Sequence, residues 1–433
     1  MKTFTFAFFG DNIGDIVVLK ILKLMVIERK REVYQQLTDN ILQFWQTKAI
    51  DSDFGGFVGF MNAEGVTAPR ADKSAIAHGR ILWSFSAAYQ QLGDEHLGYH
   101  ARRAYQCLLH RFCDKEHFGV YDSVSFDGKV NGDKKSIVAQ AYAIYGLCGY
   151  YQATKDNEAL EQALRIFNQI QAHGFDVQAG GYVEFVSGAW QQVSNMQVSD
   201  DKEKPVSLRT QVHLHLLEAY TALLSCQDDS KVQLALAHLL QLIIGRFIDK
   251  KRYFVHQSSD QNSDGPLLYG HDLELSYLMV KAAKALQSKQ LIEVCQNLAL
   301  KMINRVINHH AVADNITTGG IGLGKNLGEA ADVQREGWVQ AEAISAFCWA
   351  YEYTGDEKYL QWIEGTWFYI EQFIVDKTLG DWHSGRHQDG RLVSHQAKIG
   401  PWKCPYHAVR CCLVYYQMLT KDRLSYLPLS KAS

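Results

Sequence analysis

The sequence predicts an all-α protein: a closed (α/α)6 barrel of twelve helices in six hairpins, with short β-ribbons in the connecting loops. Three observations carry this. Twelve segments place apolar residues at i, i+3, i+4 and i+7, the spacing that gives a helix an apolar stripe. Short segments of Gly and aromatic residues recur at a nearly constant interval. Only 6 of the 433 residues are proline, so little interrupts helices.

The helical segments fall at about 29–48, 73–92, 95–113, 135–153, 157–173, 208–226, 229–247, 271–287, 289–309, 336–353, 356–375 and 404–420. Links within pairs are short and polar, as in Leu92-Gly-Asp94, Thr154-Lys-Asp-Asn157 and Thr354-Gly-Asp356. Asp or Asn there caps the next helix by accepting its first free N–H groups. Longer links carry the repeat: Phe54-Gly-Gly-Phe57, Phe118-Gly-Val-Tyr121, Gly180-Gly-Tyr-Val183, Lys251-Arg-Tyr-Phe254, Gly319-Gly-Ile-Gly322 and Leu379-Gly-Asp-Trp382. Markers at Gly56, Gly119, Gly181, Tyr253, Gly320 and Asp381 are spaced by 63, 62, 72, 67 and 61 residues. An open helical solenoid is the alternative. The long loops, rich in Gly and Trp and holding most of the unusual chemistry, favour a barrel with its site at one mouth.

No Pro- or Ser-rich linker divides the repeats, so residues 25–433 read as a single catalytic barrel and 1–24 as an N-terminal extension. In that extension Asp11 and Asp15 interrupt the apolar run, and no small-residue cleavage site follows, which argues against a signal peptide. Ile16 to Ile27 carries Lys20 and Lys23 and is too short to span a bilayer. The charged stretch Ser194 to Pro205 reads as a mobile loop over one barrel end. A net charge of −3 gives no reason to expect nucleic acid or a membrane surface as partner. Nine cysteines without a CxxC pair, Cys404, Cys411 and Cys412 among them, fit reduced thiols and a cytoplasmic location better than a disulfide framework.

Five places could carry chemistry. Gly270-His-Asp-Leu-Glu274 opens a helix and puts His271 and Glu274 one turn apart, where a carboxylate can orient an imidazole; the alternative is acidic residues favouring the helix dipole. In Gln211-Val-His-Leu-His215 the two histidines are about 200° apart, so one faces the axis and the other is a core residue. Trp402-Lys-Cys-Pro-Tyr-His407 precedes the last helix and offers a stacking plate and a proton carrier. His78-Gly-Arg80 puts a glycine inside a helix, at a cost of about 1 kcal/mol against Ala. Something must therefore approach that backbone, and Arg80 is either a fixed cation or half of a structural ion pair. Trp338-Val-Gln-Ala-Glu342 places Trp338 and Glu342 on one helix face. No phosphate-binding glycine loop and no His-Glu-x-x-His occur, so no nucleotide cofactor and no metal are expected; a zinc site built on His271, Glu274 and another histidine is a minor alternative.

Taken together, Gly270-His-Asp-Leu-Glu274, His213-Leu-His-Leu-Leu-Glu-Ala-Tyr220, His78-Gly-Arg80, Trp338-Val-Gln-Ala-Glu342 and Lys403-Cys-Pro-Tyr-His407 resemble the N-acylglucosamine 2-epimerase superfamily, in its cellobiose and mannose 2-epimerase branch. The resemblance runs from about Met25 to Met418 and keeps motif order. It implies an (α/α)6 barrel that inverts C2 of a free reducing-end sugar without cofactor, as monomer or homodimer, with a small sugar as its partner. His271 and His407 would then be the acid/base pair, Glu274 would orient His271, and Arg80 and His215 would hold the enediolate oxygens. Trp338, Trp402, Tyr142, Glu342 and His213 would bind the sugar. The chemistry is consistent: a C–H beside an aldehyde is a far weaker acid than imidazolium, so the base must be helped by fixed cations and donors where charge develops. Two departures stand out. Arg209-Thr-Gln-Val precedes His213 where the cellobiose enzymes have an Asn-Thr pair, and Gly337 replaces a second Trp, which favours free mannose or glucose as substrate. The alternatives are an aldose–ketose isomerase using the same enediolate, a glycoside hydrolase with Glu274 and Glu342 as its carboxylates, and a non-catalytic sugar- or protein-binding barrel.

Overall fold

The computed structural model describes residues 12–192, 208–260, 267–313, 320–325, 334–387, 390–393 and 396–421. The charged stretch Ser194 to Pro205 lies outside them. The first rod, α1, runs Asn12–Gln35, passes through a wide π-type turn at Gln36–Leu42 and continues as Gln43–Thr47. Then follow α2 (Ala75–Leu92), α3 (Glu95–Cys107), α4 (Ile137–Thr154), α5 (Asn157–Gln169), α6 (Thr210–Cys226), α7 (Ser230–Leu242), α8 (Tyr269–Ala285), α9 (Lys289–Ala313), α10 (Gly337–Thr354), α11 (Lys358–Tyr369) and α12 (Tyr406–Thr420). The expected start of the first helix near residue 29 is thus too late. The apolar segment Ile16 to Ile27 is helical and continuous with the barrel's first rod. Among the described residues no helix is long and apolar enough to cross a membrane.

The even-numbered helices form an inner ring. α2 packs on α4, α4 on α6, α6 on α8, α8 on α10, α10 on α12, and α12 back on α2. That closure excludes the open solenoid. Five outer helices each follow an inner one through the short polar link, and the caps behave as expected. Asp94, Asp156, Asp229 and Asp356 accept the N–H of His96, Glu158, Lys231 and Lys358. The sixth pair is not a hairpin: α12 is covered by α1, so the two ends of the chain complete the ring.

The rings differ as their sequences do. Inner α4 is buried from Ile137 to Ile144 without interruption, whereas outer α5 buries Ala159, Leu160, Ala163, Ile166 and Phe167 on one stripe. Gly79 answers its own question: a Cβ there would sit 2.5 Å from the Tyr142 carbonyl oxygen, and one on Gly146 would sit 2.5 Å from that of Gly79. The two helices touch backbone to backbone.

The Gly/aromatic loops are one device repeated. Asp51, Asp114, Asp176, Asp249 and Asp376 each accept the backbone N–H groups two and three residues on. Short antiparallel pairings close each loop, such as Cys113 with Val120 and Phe175–Asp176 with Gly181–Tyr182. A side chain near the start of each of the first five inner helices then clamps the ribbon. His78 accepts the N–H of Phe57, Gln140 that of Val120, His213 that of Tyr182, Asp272 that of Val255 and Gln340 that of Ile321. All nine cysteines are unbridged.

Candidate active site

The inner helices begin at the same barrel end as the ribbons, so the residue two positions after each clamp falls at the axis. Those residues are Arg80, Tyr142, His215, Glu274 and Glu342, and the structure links them. Arg80 Nη2 donates to the Tyr142 hydroxyl at 2.5 Å, and that hydroxyl lies 2.9 Å from His215 Nδ1. Glu274 and Glu342 both accept from Arg410 Nη2 at 2.6 Å. Arg410 also bonds Glu218 and the Tyr406 hydroxyl. Above this floor opens a cavity of about 450 Å³, lined by Arg80, His215, His271, Glu274, Trp338 and His407 and, from the loops, by Trp382, His383 and Trp402 among others. That volume suits a small organic ligand. Converging helix N-termini add partial positive charge.

Each imidazole has its own partner. His407 Nδ1 donates to Glu342 Oε1 at 2.6 Å. His271 Nδ1 lies 3.2 Å from Gln257 Oε1. The indole of Trp338 stands near both, 5.6 Å from the His271 ring and 5.7 Å from the His407 ring. Gly270 makes room for it, because a Cβ there would lie 2.2 Å from the indole. Burial pushes His271 down to about 4, against the pull of Glu342. Burial does the same to His407, also to about 4, against its Glu342 bond. Glu274 is pushed up to about 8 by burial and by the neighbouring Glu342, despite Arg410. Glu342 goes the other way: against burial, Arg410 and the His407 bond draw it to about 2. Of the carboxyls that share the Arg410 guanidinium, Glu274 is the one pushed toward its protonated form. Among the described residues Arg80 meets no carboxylate: its partners are the Tyr142 hydroxyl, the Trp402 carbonyl and the Tyr142 ring, 4.2 Å from its guanidinium carbon. The structural ion-pair reading of Arg80 therefore fails, and its charge is available to a ligand.

Three expectations are corrected. Glu274 does not pair with His271; its bond goes to Arg410, and the carboxylate–imidazole pair is Glu342 with His407. His213 is a clamp outside the cavity, with Nε2 on the Tyr182 N–H and Nδ1 on the Arg209 carbonyl, so it has no nitrogen left for a sugar. Tyr142 and Glu342 lie behind the lining and reach the cavity through Arg80, His215 and His407. The hydrolase arrangement also lacks support: Glu274 and Glu342 sit side by side on one guanidinium, not across a cleft. Two groups place potential metal ligands within 4.8 Å of one another: His215, Glu218 and Glu274, and Glu274, Glu342 and His407. Arg410 already occupies both groups, bonding all three carboxylates.

Sequence reasoning missed Arg410, Glu218 and Gln257. The first two carried a signal, since each is a lone charge in an apolar helical run. Gln257 carried none.

Residues 55–411 match the N-acylglucosamine 2-epimerase (GlcNAc 2-epimerase) family. The chain belongs to that family of sugar epimerases. It is 36% identical over 390 residues to the cellobiose 2-epimerase of Bacteroides fragilis, covering 89% of this chain and 97% of that one. To the cellobiose 2-epimerase of Ruminococcus albus it is 34% identical, over 88% and 97% of the two chains. In structure it resembles the cellobiose 2-epimerase of Bacillus thermoamylovorans, with a TM-score of 0.83, 30% identity and coverage of 90% and 99%. These neighbours share the predicted barrel.

Proposed function

We propose that this protein interconverts the glucose and mannose configurations at C2 of a reducing-end sugar, with a cellobiose-like disaccharide as substrate. The observation that carries the reading is the pair of imidazoles, His271 and His407, flanking one indole in a cavity that also holds Arg80, a cation with no carboxylate partner among the described residues. One imidazole enters neutral and takes the C2 proton, and the electron pair of that C–H bond moves into the C1 carbonyl to give an enediolate. The other enters protonated and returns a proton to the opposite face. Arg80, with the Tyr142–His215 pair behind it, meets the charge on the C1 and C2 oxygens, while protonated Glu274 donates a hydrogen bond. Trp338 and Trp402 present faces to the sugar. The names of the Bacteroides and Ruminococcus relatives support cellobiose over a monosaccharide; a cytoplasmic location fits the unbridged cysteines.

The test is incubation in D₂O with cellobiose, mannose and glucose, followed by NMR. Deuterium at C2 together with the epimer is expected. No exchange in any of the three sugars sinks the reading, and fructose as main product converts it to the aldose–ketose isomerase.

A further inference from the structure

The two imidazoles that flank the Trp338 indole face different partners. His407 gives its Nδ1–H to a carboxylate, Glu342; His271 faces the neutral carboxamide of Gln257, on the loop after the Ile248–Asp249 and Phe254–Val255 ribbon. Gln257 Oε1 accepts and cannot donate, so Nδ1 of His271 carries the hydrogen and Nε2 is left with its lone pair. The Nε2 amide of Gln257 is itself buried and makes no hydrogen bond among the described residues. Among the described residues its side-chain oxygen has one partner, the His271 imidazole. The backbone carbonyl of Gln257 accepts the N–H of Thr210 at the start of α6, which ties the loop to the inner ring.

We propose that Gln257 is a positioning residue of the proton transfer: its oxygen fixes His271 as the Nδ1–H tautomer, and its neutrality denies His271 the carboxylate partner that His407 has. Resting on the epimerase reading, this deepens it, by assigning the neutral starting base to His271 and the proton to His407. Other titratable groups share the cavity with His271: Arg80 from α2, His215 from α6, Glu274 from α8, Glu336 and His383 beside α10, and Lys403 and His407 by α12. Glu342 stands behind His407, and its field on His271 works in the raising direction. None of these bonds His271 Nδ1, so tautomer selection falls to Gln257.

The experiment uses the whole chain with ¹⁵N-labelled histidine, in wild type, Gln257→Glu and Gln257→Leu. Wild type should show His271 as the Nδ1–H tautomer, a measurement that needs no substitution and no turnover. Gln257→Glu is isosteric and breaks no hydrogen bond, so it adds charge alone. A carboxylate at that distance should raise the His271 midpoint by about 1–3 pH units and move the acidic limb of kcat/KM upward equally. Gln257→Leu should lose the single tautomer and lower kcat by roughly ten- to a hundredfold, with KM within about twofold. An Nε2–H tautomer in wild type overturns the proposal, as does a Glu variant with unmoved midpoint and limb. Absence of C2 exchange in wild type, with the tautomer as stated, would sink the epimerase reading and leave the Gln257–His271 pairing standing.

Discussion

Replacing Glu342 by Gln tests the site most sharply, because one oxygen of that carboxylate serves both His407 and Arg410. If His407 carries the proton into the reaction, the ion pair with Glu342 holds it there against the burial that draws the imidazole down. At about 4 Å and an effective dielectric constant near 20, opposite unit charges gain about 4 kcal/mol. Arg410 draws on the same carboxylate, so the share felt by His407 is smaller, about 1–3 units of pKa or about 1.4–4 kcal/mol. Removing it lowers the proton affinity of His407. The sign follows: the active form is the singly protonated histidine pair, so the alkaline limb of kcat/KM moves to lower pH. At pH 7 to 8 the rate falls by about ten- to a thousandfold. Folding should survive. With Glu342 neutral, Glu274 loses the carboxylate that pushes it up, ionises in place, and keeps Arg410 paired with it and with Glu218. The assay is C2 deuterium exchange against pH, beside a thermal melt. A Glu342→Gln protein that melts like wild type and keeps both its rate and its alkaline limb refutes the assignment of the proton to His407.

Four further outcomes are expected. His213→Ala should lower stability by about 1–3 kcal/mol through the orphaned Tyr182 N–H, with the C2 exchange rate of the folded fraction unchanged; a large loss of kcat would restore His213 to the site. Gly79→Ala should destabilise by about 1–3 kcal/mol despite better helix propensity, because its Cβ meets the Tyr142 carbonyl rather than a mobile side chain; a melt at or above wild type contradicts the backbone contact. Trp402→Ala should raise KM by about tenfold with little change in kcat, since Trp402 is about half exposed (47%) in the cavity lining and its backbone carbonyl, which bonds Arg80, stays in place; steady-state kinetics decide. Stability should fall as pH drops from about 6.5 to about 4. His78, His213, His271 and His383 are held neutral by burial with midpoints near 4, so the unfolded chain binds more protons across that window. Each forfeits up to about 3 kcal/mol. Asp272, raised to about 7, and Glu274, raised to about 8, act in the opposite sense, two groups against four. Urea midpoints that stay flat from pH 6.5 to 4 would contradict this burial.

Much of the barrel was legible because its signals are local. Helical periodicity, the capping aspartates and the 61–72-residue spacing of the ribbons each depend on a few neighbouring residues. Ring closure was inferred from loop character, yet the decisive contact, α12 on α2, joins the last inner helix to the first and leaves no mark in either sequence. His271, His407, Arg80 and His215 were found because they sit in short motifs at helix starts. Their partners were misassigned because pairing crosses the barrel. His271 and Glu274 are one turn apart on α8, and local reasoning joins them; Arg410, from a helix 136 residues away, takes the carboxylate instead.

The repeat itself would have corrected that. Aligning the inner helices on their clamps puts His78, Gln140, His213, Asp272 and Gln340 in one column and Arg80, Tyr142, His215, Glu274 and Glu342 in the column two residues on. The first column holds groups that can accept a backbone N–H at close range, and its chemistry is the same whether the residue is His, Gln or Asp. It is structural. The second column varies between cation, phenol, imidazole and carboxylate, which a packing role would not require, so it is where a site is assembled. On that alignment His213 belongs to the scaffold and Tyr142 and Glu342 to the site, as their hydrogen bonds show. In five of the six inner helices register thus separates two roles: the clamp position stays uniform, and its neighbour two residues on is free to differ, while His271 and His407 reach the cavity from other positions.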